Sequence, residues 1–345
     1  HYTHLRPHHV AISHRHQMNY AFRFLPAARL RGAWGCRAAA ATLALLLAGP
    51  AALAQNDLLK ELERQTAPTE PVTEFTNLTF KSVRIINGHS VETTPKNTLH
   101  FLIGHRFGAV NTGAYNFFGL DQGVIRLGLE YGFTRNLTVG VGRSSNEKTF
   151  DGFIKYRAVR QGTGPGTMPF SVTLLGTTAL STLRYVGTPL DDRPFRTRLT
   201  YTYQALIARK FSDDFSLQLM PTWVHRNLVM TRADDNAVFA LGVAARQRLT
   251  KRLALTGEYY YVLPGATADD PRYYNSIAVG VDIETGGHVF QLHFTNSNGM
   301  IEKFFIPQTT GNFFKGDIYV GFNISRAFTI GNRKLKGDQG FSPRQ

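Results

Sequence analysis

Residues 123–133 read GVIRLGLEYGF. The odd positions Ile125, Leu127, Leu129, Tyr131 and Phe133 are apolar, and the even ones carry Arg126 and Glu130 on either side of Gly128. Successive side chains of an extended chain point to opposite faces, so this is a strand with one apolar and one polar face. A soluble sheet would turn the apolar face inward. A membrane barrel inverts the arrangement: the apolar face meets lipid and the polar face lines a wet interior.

Neighbouring segments choose between the two. Leu199, Tyr201, Tyr203, Ala205 and Ile207 alternate with Arg198, Thr200, Thr202 and Gln204. Leu137, Val139 and Val141 alternate with Thr138, Gly140 and Gly142, and Phe290, Leu292 and Phe294 with Gln291, His293 and Thr295. The polar faces hold Gly, Ala and Thr with a few charges, where the outside of a soluble sheet carries more Lys and Glu. Twelve such strands are predicted: 98–107, 123–133, 136–144, 148–159, 169–182, 196–209, 214–225, 237–249, 253–263, 274–285, 288–297 and 317–329. Most have the length a tilted strand needs to cross a bilayer.

The connections mostly alternate between long and tight. Tight turns fall at Thr134–Asn136, Ser212–Asp214, Thr250–Arg252 and Thr285–Gly287, and the longest connection is SNGMIEKFFIPQTTGNFFKG. In an antiparallel sheet this collects the long loops at one end, as in outer-membrane barrels. Phe133, Phe211, Phe215, Phe290 and Phe328 fall at the tight-turn end, and Tyr259, Tyr261, Tyr273 and Tyr274 at the other, as two interfacial girdles. A lipid-exposed sheet must close to pair its backbone. The expected fold is therefore all-β: a closed antiparallel transmembrane barrel of about 12 strands after a short periplasmic segment. A secreted β-sandwich is the competing architecture.

The chain has 345 residues, with 25 Phe, 14 Tyr and 32 Gly, a composition suited to strands and turns. Residues 1–17 read as upstream read-through before Met18. Residues 18–54 read as a signal peptide, with a basic start, the short apolar run AAAATLALLLAGPAALA and a small-x-small site at Ala52–Ala54. A retained signal anchor is the competing reading. The only cysteine, Cys36, falls in this segment, so the exported chain would carry neither disulfide nor thiolate. The net charge of +15 drops as well: without the six Arg of residues 1–54, 33 basic side chains face 24 acidic ones, leaving +9. Export and the scatter of these charges along strands argue against nucleic acid as a partner. Residues 55–97 form a periplasmic lead that could act as a plug or as a docking hairpin for a periplasmic partner, residues 98–331 the barrel, and 332–345 a tail.

FKSVRIINGHSVET, LHFLIGHRFG, YNFFGLDQGVIRLGLEYGFT, NLTVGVGRSSNEKTFDGFIKYR and FTIGNRK together resemble an uncharacterised outer-membrane β-barrel family of Bacteroidota, over about residues 58–331. The resemblance implies a location and a fold, with no catalytic residue to carry over.

Three sets of residues are candidates for function. On the inward face the alternation places Arg126, Glu130, Lys155, Arg157, Arg198, Arg246, Arg248, Glu258, Asp282 and His293. Basic groups outnumber acids there, which suits a small anionic solute; internal salt bridges that merely fill the barrel are the alternative. Asp191–Asp192, Asp234–Asp235 and Asp269–Asp270 fall in long loops, where they could hold a divalent cation at the outer rim or serve as solvated loop tips. Asn87–Gly88 is a turn signal ahead of the barrel, followed by His89 and Ser90. His89 beside Ser90 invites a lipid-hydrolase reading, but adjacent residues of an extended chain point apart. The histidines lack ligand spacing, Gly162–Gly166 reads as a flexible link, and no cofactor is expected. The sequence thus predicts passage or binding of a small solute in an outer-membrane barrel. A closed docking barrel and a lipid-modifying enzyme are the alternatives, and membrane lipid is the surrounding partner.

Overall fold

Alternating strands about ten residues long, separated by turn residues, fold as the pattern requires. In the computed structural model, which describes residues 73–184, 186, 193–229, 231–285 and 288–330, twelve strands form one closed antiparallel barrel. They are β1 (Thr98–Ala109), β2 (Gly123–Gly132), β3 (Leu137–Ser144), β4 (Phe150–Val159), β5 (Ser171–Leu180), β6 (Leu199–Lys210), β7 (Phe215–Arg226), β8 (Ala237–Arg248), β9 (Leu253–Val262), β10 (Ser276–Thr285), β11 (His288–Thr295) and β12 (Tyr319–Thr329). Each pairs with the next in sequence, and β12 closes on β1 with Phe322 opposite His105 and a register irregularity between Tyr319 and Gly321. The soluble sandwich is thereby excluded. The leader, residues 55–72, the tail from 331 and the Asp191–Asp192 pair lie outside the described residues.

The opening stretch shows how the faces point. Ile125, Leu127 and Leu129 are 43–47% exposed on the outer wall, whereas Arg126 and Glu130 are 5% and 1% exposed inside. Two small residues make room for the first of these charges. A Cβ on Gly128 or Gly142, which pair across β2 and β3, would collide with the Arg126 guanidinium. That guanidinium lies over both glycines and forms an ion pair with Asp151 on β4.

The interior is filled by the chain itself. Ahead of β1, Glu74–Phe75 pairs with Gly162–Thr163 of the β4–β5 connection, at the tight-turn end. The chain then runs into the barrel, reverses and comes back to the same end at Pro95–Asn97, where Asn97 N–H donates to the Gly132 carbonyl. The reversal is a hairpin: Arg84 bridges His89, Ile85 N–H donates to the Gly88 carbonyl, and Ser90 N–H to the Val83 carbonyl. Apart from Lys81, residues 79–94 are buried.

From the long-loop end a second segment folds inward. It belongs to the β11–β12 connection, which the sequence reading assigns to an outer loop. Its one-turn helix α1 (Glu302–Phe305) is buried with Met300, Ile301 and Ile306. The physical reason is the apolar cluster Met300–Ile301 and Phe304–Ile306, which has a core to join inside the barrel. Phe305 meets Tyr260 edge-on at 5.0 Å, and Phe80, Ile85, Ile86 and Val91 of the hairpin join the same core.

Candidate functional site

The lumen is a contact surface between the wall, the N-terminal hairpin and the α1 segment. Much of what the wall offers the hairpin is polar, and most of that goes to main-chain atoms. Gln218 on β7 accepts from Val91 N–H at 2.7 Å and donates to the His89 carbonyl at 2.8 Å. Gln291 on β11 donates to the Ile85 carbonyl at 2.6 Å, and Asn323 on β12 to the Ile86 carbonyl at 2.9 Å. Thr173 donates to the Val91 carbonyl at 2.7 Å, and the Thr138 hydroxyl accepts from Thr94 N–H at 2.9 Å. Beyond the two hydrogen bonds that join its limbs, the hairpin has no ladder partner inside the barrel, so its remaining buried N–H and C=O groups need such side chains.

The tip of the hairpin sits on Glu258. Its carboxylate accepts from the N–H groups of Asn87 at 2.7 Å, Gly88 at 3.1 Å and Ile86 at 3.3 Å. Successive N–H groups around one anion form a backbone nest. Gly88 is required there because a Cβ would collide with the Tyr260 hydroxyl.

Most of the inward charges predicted from the alternation have partners of opposite sign. Arg126 pairs with Asp151, and Arg157 with Glu92 of the hairpin at 2.8 Å. Arg246 pairs with Glu284 at 2.7 Å and with Asp282 at 3.6 Å, and Asp282 also accepts from Gln291. Glu130 lies 4.0 Å from Arg84 of the hairpin. Lys155 and Glu258 have no salt bridge within 4 Å among the described residues: Lys155 donates to the carbonyls of Glu92 at 2.6 Å and Val83 at 3.3 Å. His293 is fully buried, its ring against Gly321 and its Cβ against Gly280.

Two predicted lumen residues are elsewhere. Arg248 is partly exposed at the tight-turn rim, where it pairs with Asp214, because its strand ends there. Arg198 lies in the single turn that leads into β6 at the long-loop rim. The expected basic excess is offset by acids outside the predicted set: Asp151 and Glu284, which share the strand face of Lys155 and of Asp282, and Glu92 and Glu302, which come from the two inward segments.

The two inward segments meet at Glu302. Its carboxylate lies 3.6 Å from the Arg84 guanidinium and 3.7 Å from His89 Nε2, all three being buried. Ser90 donates instead to the Ser82 carbonyl at 2.6 Å, so His89 and Ser90 form no hydrolytic pair. Sequence reasoning also missed Arg106, which donates to the Asn87 side-chain oxygen at 2.8 Å. Its place on one strand face with Gly104 and Gly108, alternating with His105 and Phe107, was the available signal. Gln291 stands on the polar face of its predicted strand, but nothing in the sequence marks it, or Gln218 and Asn323, as a ligand of the hairpin main chain.

The described acidic pairs of the loops are engaged locally. Arg272 binds Asp234 at 3.1 Å and also Asp270, while Asp235 accepts from Thr267 N–H at 3.2 Å. Asp269 is exposed beside them. Among the described residues no cluster of three His, Cys, Asp or Glu could hold a metal. Hydrogen bonds from the Arg272 side chain and N–H hold the Asp270 carboxyl down at about 2. A depressed carboxyl contributes fully above its ordinary value near 4 and loses that contribution as pH falls through about 2. The Asp270–Arg272 pair, which braces the β9–β10 loop, is therefore expected to survive at pH 3. Proteolysis of residues 263–275 across pH 2–5 with an acid-active protease checks this; release already at pH 4 would contradict it.

A closed barrel of twelve antiparallel strands, apolar outside, with tight turns gathered at one end, is the outer-membrane type, and the protein is an outer-membrane β-barrel of a Gram-negative bacterium. Residues 80–328 match the family described as membrane bound beta barrel domain (DUF5777), and the chain belongs to that family. No curated protein matches it. Among solved structures it is similar to the NanC porin (9% identity, TM-score 0.43, covering 67% of this chain and 100% of that one). It is also similar to the KdgM porin (9%, 0.39, 68% and 99%) and to the COG4313 outer membrane channel from Pseudomonas putida F1 (13%, 0.42, 69% and 98%).

Proposed function

We propose that this barrel passes small polar solutes and is held closed by its own N-terminal hairpin. The observation that supports this is the kind of contact that seats the hairpin. The polar wall bonds to it through side chains of Gln, Asn, Thr, Lys and Glu, with no wall-to-hairpin β-ladder. Water can replace every one of these bonds, so a lumen vacated by the hairpin would be wetted. The family match begins at residue 80, within the hairpin, which makes the closing element part of the family's unit. The matched lumen charges favour no strong anion selectivity. A periplasmic partner acting on the residues ahead of the hairpin would be a means of opening.

A second reading is a permanently closed barrel that docks a partner. The ion pairs between hairpin and wall, Arg157–Glu92 and Glu130–Arg84, favour it. Conductance separates the two. A protease site placed at the exposed residues Pro95–Asn97 allows the chain to fold intact and then be nicked. The intact chain in a planar bilayer is expected to be nearly silent. The nicked chain, washed in mild denaturant, is expected to give steady openings at least tenfold larger in mean current. A hairpin-free barrel that stays silent would leave the docking reading.

A further inference from the structure

The contacts that seat the hairpin have a property of their own: they read main-chain atoms. Gln218 is the clearest case. One side-chain amide takes the carbonyl of His89 and the N–H of Val91, the two-point pairing by which one strand recognises another. Gln291 and Asn323 take the carbonyls of Ile85 and Ile86, and Lys155 those of Val83 and Glu92. Glu258 takes the N–H groups at the turn. Polar contacts to hairpin side chains accompany these, at Lys81, Arg84, Asn87, His89, Glu92 and Thr93. Peptide groups are the same in every sequence, so this main-chain part of the recognition is open to any extended peptide, while contacts to Arg84, Gly88 and Glu92 add a preference for the resident sequence.

We infer that the lumen is a receptor for extended peptide backbone, and that the solutes admitted when the hairpin leaves are short peptides. The inference deepens the gated-passage reading and rests on it for the word solute; the receptor property itself rests on the contacts alone. The hairpin then occupies the lumen as an internal stand-in for the ligand. Saccharides and simple carboxylates lack the alternating N–H and C=O groups that Gln218 and its neighbours meet.

The test uses the full chain, folded intact and nicked at Pro95–Asn97. A fluorescent peptide of residues 79–94 reports occupancy by anisotropy. Capped peptides of equal length that keep Arg84, Gly88 and Glu92 and the apolar positions, and are otherwise varied in sequence, are expected to displace it within about tenfold of the unlabelled original. Linear oligosaccharides of equal length are expected not to displace it. Gln218→Met is expected to weaken all peptides alike by tenfold or more. Heat-modifiable gel migration confirms that this barrel is folded. Displacement by the original sequence alone would overturn the inference, as would equal displacement by oligosaccharides or no effect of Gln218→Met. Because current and displacement are separate readouts, a silent barrel that still exchanges peptides would sink only passage. A conducting barrel that rebinds only the original sequence would sink only the peptide receptor.

Discussion

Glu258→Leu is expected to unseat the hairpin while leaving the barrel intact. The wild-type carboxylate is the acceptor for the N–H groups of Ile86, Asn87 and Gly88, deep in the lumen. With an isobutyl group in its place those donors face an apolar wall. A buried donor stripped of its partner costs about 1–3 kcal/mol, and several at one turn are not additive, so about 3–6 kcal/mol is expected for the seated state. Since 1.4 kcal/mol is about tenfold in an equilibrium, the unseated fraction should rise by two orders of magnitude or more. Arg84 lies within the hairpin and is 5% exposed, so trypsin cleavage there reports unseating directly. Glu258→Gln keeps one acceptor oxygen and should fall between. Equal protection of Arg84 in all three proteins would show that the nest does not seat the turn.

The second large effect is expected at Glu302. Glu302→Ala removes the carboxylate near both Arg84 and His89 and leaves a buried guanidinium with Glu130, 4.0 Å away, as its remaining close acid. Removing one partner of a buried ion pair costs about 3–5 kcal/mol, chiefly because the other charge stays behind without it. The α1 segment should then spend time outside the barrel. Lys303, 8% exposed and paired with Glu147 across the loops, would become a trypsin site. Current should change little, because the hairpin still fills the lumen from the other end. A large rise in current with Lys303 still protected would mean that Glu302 holds the hairpin and not its own segment.

The fold was legible because lipid imposes a rule on every second residue. Leu127 cannot become polar without facing hydrocarbon, and the rule holds over ten residues in strand after strand. All twelve strands are therefore visible as alternation, with ends within about three residues of the structural ones. What fills the barrel obeys no such rule. The hairpin has one turn signal, Asn87–Gly88, and its bonds go from side chains of Gln218 and Gln291 to its main chain, which leaves no period in either partner. Strand parity can give the face on which Lys155 stands, but not that it meets the carbonyls of Val83 and Glu92. The inward turn of residues 300–306 was legible in principle, as an apolar cluster where a solvated loop would be polar. Its position after β11, in the longest outer connection, hid it.

Both limbs of the hairpin cross the same rim, at Thr76 beside Gln161 and at Asn97 beside Gly132. Neither limb passes through to the far side, so among the described residues nothing is threaded. The twelve strands can close into a cylinder before, during or after the hairpin enters, and the hairpin can be drawn out as a loop without opening the β12–β1 seam. Assembly and closure are thus topologically independent, and a cell could insert an empty cylinder and stopper it later from within.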